Sequence, residues 1–124
     1  MKTILIVEDD TDLSSNLKYM LTKFGYNVLI ANNGVEGIGM AKEKHPDLII
    51  MDYLLTDVLG GEAVSEIKKH APCANTSVIF LTGLLKSKDQ NEGVDTMLVG
   101  GKDYPVLAKP FHFPQLLKII QDLS

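Results

Sequence analysis

Five short apolar runs constrain the fold of this 124-residue chain more than any other feature of its sequence. They occupy residues 3–7, 27–31, 48–51, 78–81 and, more weakly, 105–108. The hydrophobicity is nearly continuous along each run, which is typical of strands that are buried on both faces of a parallel sheet. Helices must therefore cover both faces of that sheet.

The stretches between the runs carry apolar residues at the spacing of amphipathic helices. The first helix is predicted to follow a candidate cap at residues 10–12 and to end at Gly25. The three other apolar stripes include Ile38, Ile67 and Ile120. This alternation predicts an α/β fold, a doubly wound five-stranded parallel sheet with helices on both faces and right-handed crossovers.

Residues 84–103 fit the alternation less well than the rest of the chain. This segment contains three glycines, which lower helical propensity, and its apolar stripe consists of Leu85, Val94 and Leu98. The stripe predicts a helix between the fourth and fifth strands.

The charge and length of the chain exclude several classes of protein. The net charge is −4 with neutral histidines, and no cluster of Lys and Arg occurs. Because phosphate backbones bind to such clusters, we expect no direct contact with nucleic acid. No apolar stretch is long enough to cross a bilayer, so no membrane contact is expected either.

The start of the chain and its cysteine content indicate the compartment. The first residues lack the long apolar region and the cleavage site of a signal peptide. The single cysteine, Cys73, cannot form an internal disulfide. We therefore expect a cytoplasmic protein that forms one domain over residues 1–124, without an effector domain in this chain.

Chemically functional side chains follow four of the predicted strands. Glu8 and Asp9 follow the first strand, Asp52 the third, Thr82 the fourth and Lys109 the fifth. Ligands bind at the carboxyl ends of the strands in doubly wound sheets, so these side chains are expected to converge. A few carboxylates are enough to hold Mg²⁺, and a lysine can neutralise a phosphoryl group. Together they favour phosphorylation of an aspartate.

Four motifs lie in order at the ends of these strands: ILIVEDD at residues 4–10, DLIIMD at 47–52, LTG at 81–83 and AKPF at 108–111. Together they resemble the signatures of the receiver domain of two-component response regulators, the CheY-like family. The resemblance extends over the whole chain, and four motifs in the right order are far more specific than any one of them.

The resemblance implies a phosphorylation-controlled signalling switch. In such a switch Asp52 is the phosphoacceptor, Asp9 binds Mg²⁺ directly, Glu8 binds it largely through water, and Leu54 contributes its backbone carbonyl. The donor is a phosphohistidine on a sensor histidine kinase or a phosphotransfer protein, and the downstream protein partner is unknown. The protein is then no enzyme beyond catalysing its own phosphorylation and slow dephosphorylation.

The resemblance also assigns the residues that respond to phosphorylation. Thr82 is the switch hydroxyl that donates a hydrogen bond to a phosphoryl oxygen, and Lys109 pairs with the same group. The bond between Lys109 and Pro110 is expected to be cis.

Three positions depart from the family pattern. Thr56 stands where receivers usually have proline, which leaves the following loop less rigid. Val106 stands where they have Tyr or Phe, and Tyr104 lies two residues away on the same predicted strand. The stretch from Thr82 to Lys109 is long for a receiver. Because Leu54 and Leu84 are apolar and cannot orient an attacking water, we expect a comparatively long-lived phosphorylated state.

An alternative is a degenerate receiver that acts as a constitutive protein-interaction module, as Thr56 and Val106 suggest. The intact acceptor, acids, threonine and lysine argue against it. A phosphohydrolase would need an acid in the place of Leu54, and a flavin-binding protein would not place acids at its phosphate loop. The sequence leaves open whether this is a stand-alone receiver or part of a longer regulator.

The remaining polar residues have simpler interpretations. Asp12 and Asp57 are interpreted as solvated turn or cap residues, and Asp10 as a cap or a metal contact. The three histidines show no metal-binding spacing and are interpreted as surface residues: His45, His70 and His112.

Overall fold

A six-stranded sheet forms the centre of the fold in the computed structural model, which describes residues 2–83 and 95–123. The strands are β1 (Thr3–Val7), β2 (Asn27–Ala31), β3 (Leu48–Asp52), β4 (Ser77–Thr82), β5 (Asp95–Val99) and β6 (Lys102–Ala108). Their order across the sheet is β2-β1-β3-β4-β6-β5. All neighbours are parallel except β5 and β6, which are antiparallel. The predicted doubly wound α/β architecture is confirmed.

Four α-helices of the described residues cover the two faces of the sheet. They are α1 (Thr11–Lys23), α2 (Gly34–Lys44), α3 (Gly60–Lys68) and α4 (Phe113–Asp122), and a short 3₁₀ helix spans Ala71–Cys73. Of the two interpretations of Asp10, the structure shows the cap of α1: its side chain accepts hydrogen bonds from the amides of Asp12 and Leu13 at 3.1 Å. Within the described ranges, no helix combines the length and apolar character that a bilayer span requires.

Two apolar cores lie on opposite faces of the sheet. Alternate residues of β3 point to different sides: Ile49 and Met51 pack with α2 and α3, and Leu48 and Ile50 pack with α1 and α4. Every residue of β3 is buried, which confirms the interpretation of the continuous apolar runs. Each fully buried aliphatic side chain contributes about 1.5–3 kcal/mol relative to exposure.

The prediction of a helix within residues 84–103 is wrong for residues 95–103, the part of this segment that the structure describes. Leu85 and Val94 lie outside the described residues, and Asp95–Val99 form the edge strand β5. Gly100 and Gly101 both have positive φ, 59° and 82°, and form a two-residue hairpin turn into β6. Leu98 is 68% exposed, whereas its neighbours on either side pack inward. The inward-facing positions of β5 therefore alternate with period two, and the described part of the chain forms six strands instead of the predicted five.

Glycines allow two helices to approach the sheet closely. A Cβ atom on Gly37 would lie 2.7 Å from Cγ2 of Val7. A Cβ atom on Gly60 would meet the backbone oxygen of Asp52 and would lie 2.8 Å from Cα of Tyr53. Because a backbone cannot move aside as a flexible side chain can, α3 reaches the end of β3 only with glycine at position 60.

We expect Gly60→Ala to lower the free energy of unfolding by about 1–3 kcal/mol, the usual cost of overpacking a close contact. Gly39→Ala is the matched control, because Gly39 lies exposed in α2 and the described elements around it leave 4 Å of open space where its methyl group would lie. That control should stabilise the protein by about 0.5–1 kcal/mol through helix propensity. Urea unfolding measures both, and equal stabilities of the two variants would contradict the steric argument.

Candidate functional site

The candidate site lies where four strands end. Glu8 and Asp9 follow β1, and Asp52 is the last residue of β3. Thr82 is the last residue of β4, and Lys109 follows β6 directly. In the sheet, β2 and β3 lie on opposite sides of β1, so the strand order reverses at this point. Doubly wound sheets bind their ligands at the carboxyl ends of the strands beside such a reversal.

Three carboxylates form the centre of this site. One oxygen each from Glu8, Asp9 and Asp52 lies within 4.8 Å of the other two. Glu8 is 1% exposed and Asp52 is 5% exposed, whereas Asp9 is half-buried and open to solvent. Oxygen ligands from a few carboxylates, completed by water, suit a hard cation such as Mg²⁺. These residues therefore fit the ion that the sequence predicts.

Lys109 compensates part of this negative charge. Its Nζ lies 2.6 Å from Oε1 of Glu8 and 3.3 Å from Oδ1 of Asp52. Burial alone would lower the pKa of Lys109, but the hydrogen bond and charge of Glu8, together with Asp52, raise it above its ordinary value. The ammonium is therefore a fixed positive charge beside the proposed acceptor.

The environment of Glu8 favours its protonated form. Burial raises the pKa of Glu8 from 4.5 to about 7, and the charge of Asp52 adds to this rise. The Lys109 ammonium and the amide of Asp10 oppose it, the latter by donating to Oε2 at 3.1 Å. Glu8 is thus held neutral more readily than an exposed glutamate until a further cation enters the site.

Backbone pairing places Thr82 beside the lysine. Thr82 is fully buried, and its carbonyl accepts a hydrogen bond from the amide of Lys109 at 2.8 Å. This bond extends the parallel pairing of β4 with β6 to the last residue of β4. The peptide bond between Lys109 and Pro110 is cis, as predicted.

Leu54 lies on the loop that follows the acceptor, two residues after Asp52. It pairs with Leu59 in an isolated antiparallel bridge, and both side chains are exposed. The amide of Gly60 donates to the carbonyl of Tyr53 at 2.7 Å. The site thus brings Glu8, Asp9, Asp52 and Lys109 together directly, with Thr82 and Leu54 at its border. The use of the Leu54 carbonyl as a metal ligand stays a prediction.

Val106 and Tyr104 both belong to the core that faces α2 and α3. Val106 pairs with Phe80 across β4 and β6, and Tyr104 packs edge-on against the ring of Phe80 with centroids 5.7 Å apart. The ammonium groups of Lys68 and Lys102 lie 5.9 and 5.5 Å from the Tyr104 ring. The aromatic side chain of β6 is therefore Tyr104, which lies two residues further along the strand from Lys109 than Val106 does.

Sequence reasoning missed two long-range contacts. The carboxylate of Asp57 is exposed, as expected, but it also accepts hydrogen bonds from the first amides of α2, those of Gly34 and Val35. The rings of His45 and His70 lie 5.5 Å apart. No local sequence pattern predicts either contact, because the two partners of each contact come from different segments of the chain.

Comparisons with known proteins agree with this geometry. A family model described as the response regulator receiver domain matches residues 4–121. The probable transcriptional regulator ycf29 of Pyropia yezoensis is 38% identical over 120 residues, which cover 97% of this chain and 52% of ycf29. Protein PilH of Pseudomonas aeruginosa is 36% identical over 121 residues, which cover 97% of this chain and 95% of PilH. The chain spans about half the length of several other relatives.

A solved structure shows the same architecture. The response regulator protein TrrA of Thermotoga maritima, in complex with Mg(2+)-BeF, superimposes with a TM-score of 0.79 at 27% identity. The superposition covers 100% of both chains.

The raised pKa of Glu8 predicts a pH-dependent stability without metal. Protonated Glu8 stabilises the fold fully below about pH 4.5, and this contribution is lost as the pH rises through about 7. Glu8→Gln mimics the neutral form at every pH. In EDTA, the free energy of unfolding of Glu8→Gln should therefore increase relative to wild type between pH 4.5 and pH 8.

Urea unfolding at a series of pH values measures this difference. Glu43→Gln, which removes an exposed carboxylate from α2, controls for the loss of one negative charge. Parallel stability curves for Glu8→Gln and wild type would show that Glu8 is ionised equally easily in the folded and unfolded chains.

Proposed function

The chain belongs to the response regulator receiver domain family, and on this basis we propose that it acts as a signalling switch phosphorylated on Asp52 with the help of Mg²⁺. The observation that carries the proposal is the position of Lys109 between Glu8 and Asp52, with Asp9 within reach of both carboxylates. A buried acceptor, an acidic cluster and a fixed ammonium are the groups that phosphoryl transfer requires.

Asp52 is the nucleophile in this proposal. One of its carboxylate oxygens forms a bond to the phosphorus of a phosphohistidine while the bond between phosphorus and the histidine nitrogen breaks, and the imidazole leaves. Asp9, Asp52, the carbonyl of Leu54 and, largely through water, Glu8 would hold Mg²⁺, which would supply neutralising charge for the phosphoryl oxygens. Asp52 is fixed for attack because it ends a strand whose residues are all buried.

Lys109 and Thr82 respond to the new phosphoryl group. The Lys109 ammonium, 3.3 Å from Asp52, pairs with a phosphoryl oxygen in place of the carboxylate. The Thr82 hydroxyl donates a hydrogen bond to the same group. Both residues lie at the ends of paired strands, so their displacement is transmitted to β4 and β6.

Partners follow from the chemistry of this reaction. Receiver domains interact with histidine kinases or phosphotransfer proteins, and we propose such a protein as the phosphoryl donor. The output is contact with a downstream protein, and we propose no direct contact of these residues with nucleic acid, because no cluster of Lys and Arg occurs. Receiver domains are not classical enzymes, and the chemistry proposed here is limited to the phosphoryl group on Asp52.

Phosphorylation of the purified protein by acetyl phosphate tests the proposal. We expect a mass increase of one phosphoryl group that requires both Mg²⁺ and Asp52, and no increase for Asp52→Asn. Asp10→Asn is the matched control, because asparagine caps helices as well as aspartate does and the site is left intact. Intact-protein mass spectrometry measures all three proteins with and without EDTA.

Two results would contradict the proposal. An adduct on Asp52→Asn would place the acceptor elsewhere. The absence of any adduct on wild type, together with no binding of Mg²⁺ or beryllofluoride, would favour a degenerate receiver that acts as a constitutive interaction module.

The exposed apolar side chain of Leu54 predicts slow dephosphorylation. It cannot orient a water molecule towards the phosphoryl group, so we expect the phosphorylated state to be long-lived. In Leu54→Glu we expect hydrolysis of the phosphoryl group to be about tenfold faster than in wild type, because a carboxylate two residues from Asp52 can act as a general base. Leu59→Glu, on the other strand of the bridge, is the control.

The rate of loss of the phosphoryl mass after removal of the donor measures this effect. Leu84 was predicted to act with Leu54 and lies outside the described residues, so the test is confined to the Leu54–Leu59 bridge. Equal rates for wild type and Leu54→Glu would show that Leu54 does not control access of water.

A further inference from the structure

The loop between β3 and α3 begins at the proposed phosphoacceptor. We call residues 53–59 the acceptor loop. It contains Leu54, whose carbonyl is proposed as a ligand of Mg²⁺, and it contains Thr56 where the family usually has proline. Proline would restrict the backbone of this loop, so other contacts must fix its position in this chain.

The base of the acceptor loop is closed by backbone contacts. Leu54 and Leu59 form an antiparallel bridge, and the amide of Gly60 donates to the carbonyl of Tyr53 at 2.7 Å. These bonds hold the two ends of the loop to each other. They leave the position of the loop relative to the helices on the same face of the sheet unspecified.

Asp57 connects the tip of the acceptor loop to α2. Its Oδ1 accepts from the amide of Gly34 and its Oδ2 from the amide of Val35, each at 2.9 Å. Oδ1 also accepts from the amide of Val58 within the loop, at 3.0 Å. The hydrogen bonds from Val35 and Gly34 lower the pKa of Asp57, so the carboxylate is charged at neutral pH and faces the positive end of the helix dipole.

Apolar packing supports the same contact. A Cβ atom on Gly34 would meet Cγ2 of Val58 and would lie 3.4 Å from Cδ1 of Leu55. Two side chains of the acceptor loop therefore rest on a residue of α2 that has no side chain. The loop and the first turn of α2 are joined by polar and apolar contacts together.

Asp57 is not needed as the only cap of α2. Asn33 is the N-cap residue, and its side chain accepts from the amide of Glu36 at 2.8 Å. The two side chains thus serve different amides of the same turn. Asn33 acts within its own helix, whereas Asp57 joins that helix to a segment more than twenty residues away.

We propose that Asp57 is a positioning residue that fastens the acceptor loop to α2, so that the geometry of the Mg²⁺ site depends on the contact between this side chain and the first amides of α2. The inference rests on the function proposed above, because the loop presents the Leu54 carbonyl to the metal. In this chain a charged contact with a neighbouring helix takes the place of the proline that would stiffen the loop. Binding of Mg²⁺ then stabilises the contact between Asp57 and α2, and loss of that contact weakens Mg²⁺ binding by the same factor.

Comparison of Asp57→Ala with Asn33→Ala tests this role. Both variants remove one capping side chain from the first turn of α2, but only Asp57→Ala releases the loop. We expect the Kd for Mg²⁺ to rise about three- to tenfold in Asp57→Ala, below the roughly 10–100-fold seen when a partner of a metal ligand is removed. In Asn33→Ala it should stay within about twofold of wild type. Isothermal titration calorimetry measures the three Kd values.

A second readout does not depend on metal. In EDTA, exchange of the Gly60 amide with solvent should accelerate in Asp57→Ala and stay unchanged in Asn33→Ala. Gly34→Ala perturbs the same contact from the helix side and should weaken Mg²⁺ binding as Asp57→Ala does. If Asp57→Ala does not fold, Asp57→Asn, which keeps one acceptor oxygen, should show the same effects at smaller size.

The outcomes separate this inference from the proposed function. Equal effects of Asp57→Ala and Asn33→Ala on Kd and on Gly60 exchange would overturn the positioning role and leave phosphorylation of Asp52 intact. Failure of wild type to bind Mg²⁺ would overturn the proposed function, and this inference with it. A rise in Kd restricted to Asp57→Ala and Gly34→Ala, with faster Gly60 exchange in Asp57→Ala, would support both.

Discussion

The repulsion among three carboxylates at one edge of the sheet is the interaction on which the rest of this structure depends. Glu8, Asp9 and Asp52 are held close together because they stand at the ends of β1 and β3, which are paired neighbours, and because Glu8 and Asp52 are buried. Charges held this close and out of water are unfavourable unless a cation compensates them. Lys109 supplies one such charge through contacts with Glu8 and Asp52, and the remaining negative charge makes a divalent cation a favourable addition.

Most of this site could be predicted from the sequence, because the signals that define it are local. Each buried strand is a continuous apolar run, and the functional residue follows the run directly, as Asp52 follows 48–51 and Lys109 follows 105–108. Parallel pairing brings strand ends together without any further information. The cap of α1 by Asp10 was predictable for the same reason, since the side chain bonds to amides two and three residues ahead.

The features that escaped prediction depend on contacts between distant elements or on a period that a short segment leaves ambiguous. Leu98 fits a helical stripe as well as a strand, and only the glycine turn and the pairing with β6 make Asp95–Val99 an edge strand. Asp57 has the composition of an ordinary turn residue, and its role is set by the amides of α2. The requirement for glycine at position 60 becomes evident only in the folded chain, where the backbone at the end of β3 lies against it.

Two connections lead away from Asp52, and each contains one departure from the family pattern. One runs through Lys109 to β4 and β6, where Val106 replaces an aromatic residue and Tyr104 is held against Phe80. Val106 is a small β-branched side chain packed in this core, so no aromatic ring occupies its position. The other runs through the acceptor loop, where Thr56 replaces proline and Asp57 bonds to α2. Hydrogen bonds at an exposed helix end can break and form at modest cost, whereas a packed core cannot. Among the described elements, the acceptor loop and the first turn of α2 are therefore better able than the core around Val106 to adopt two arrangements.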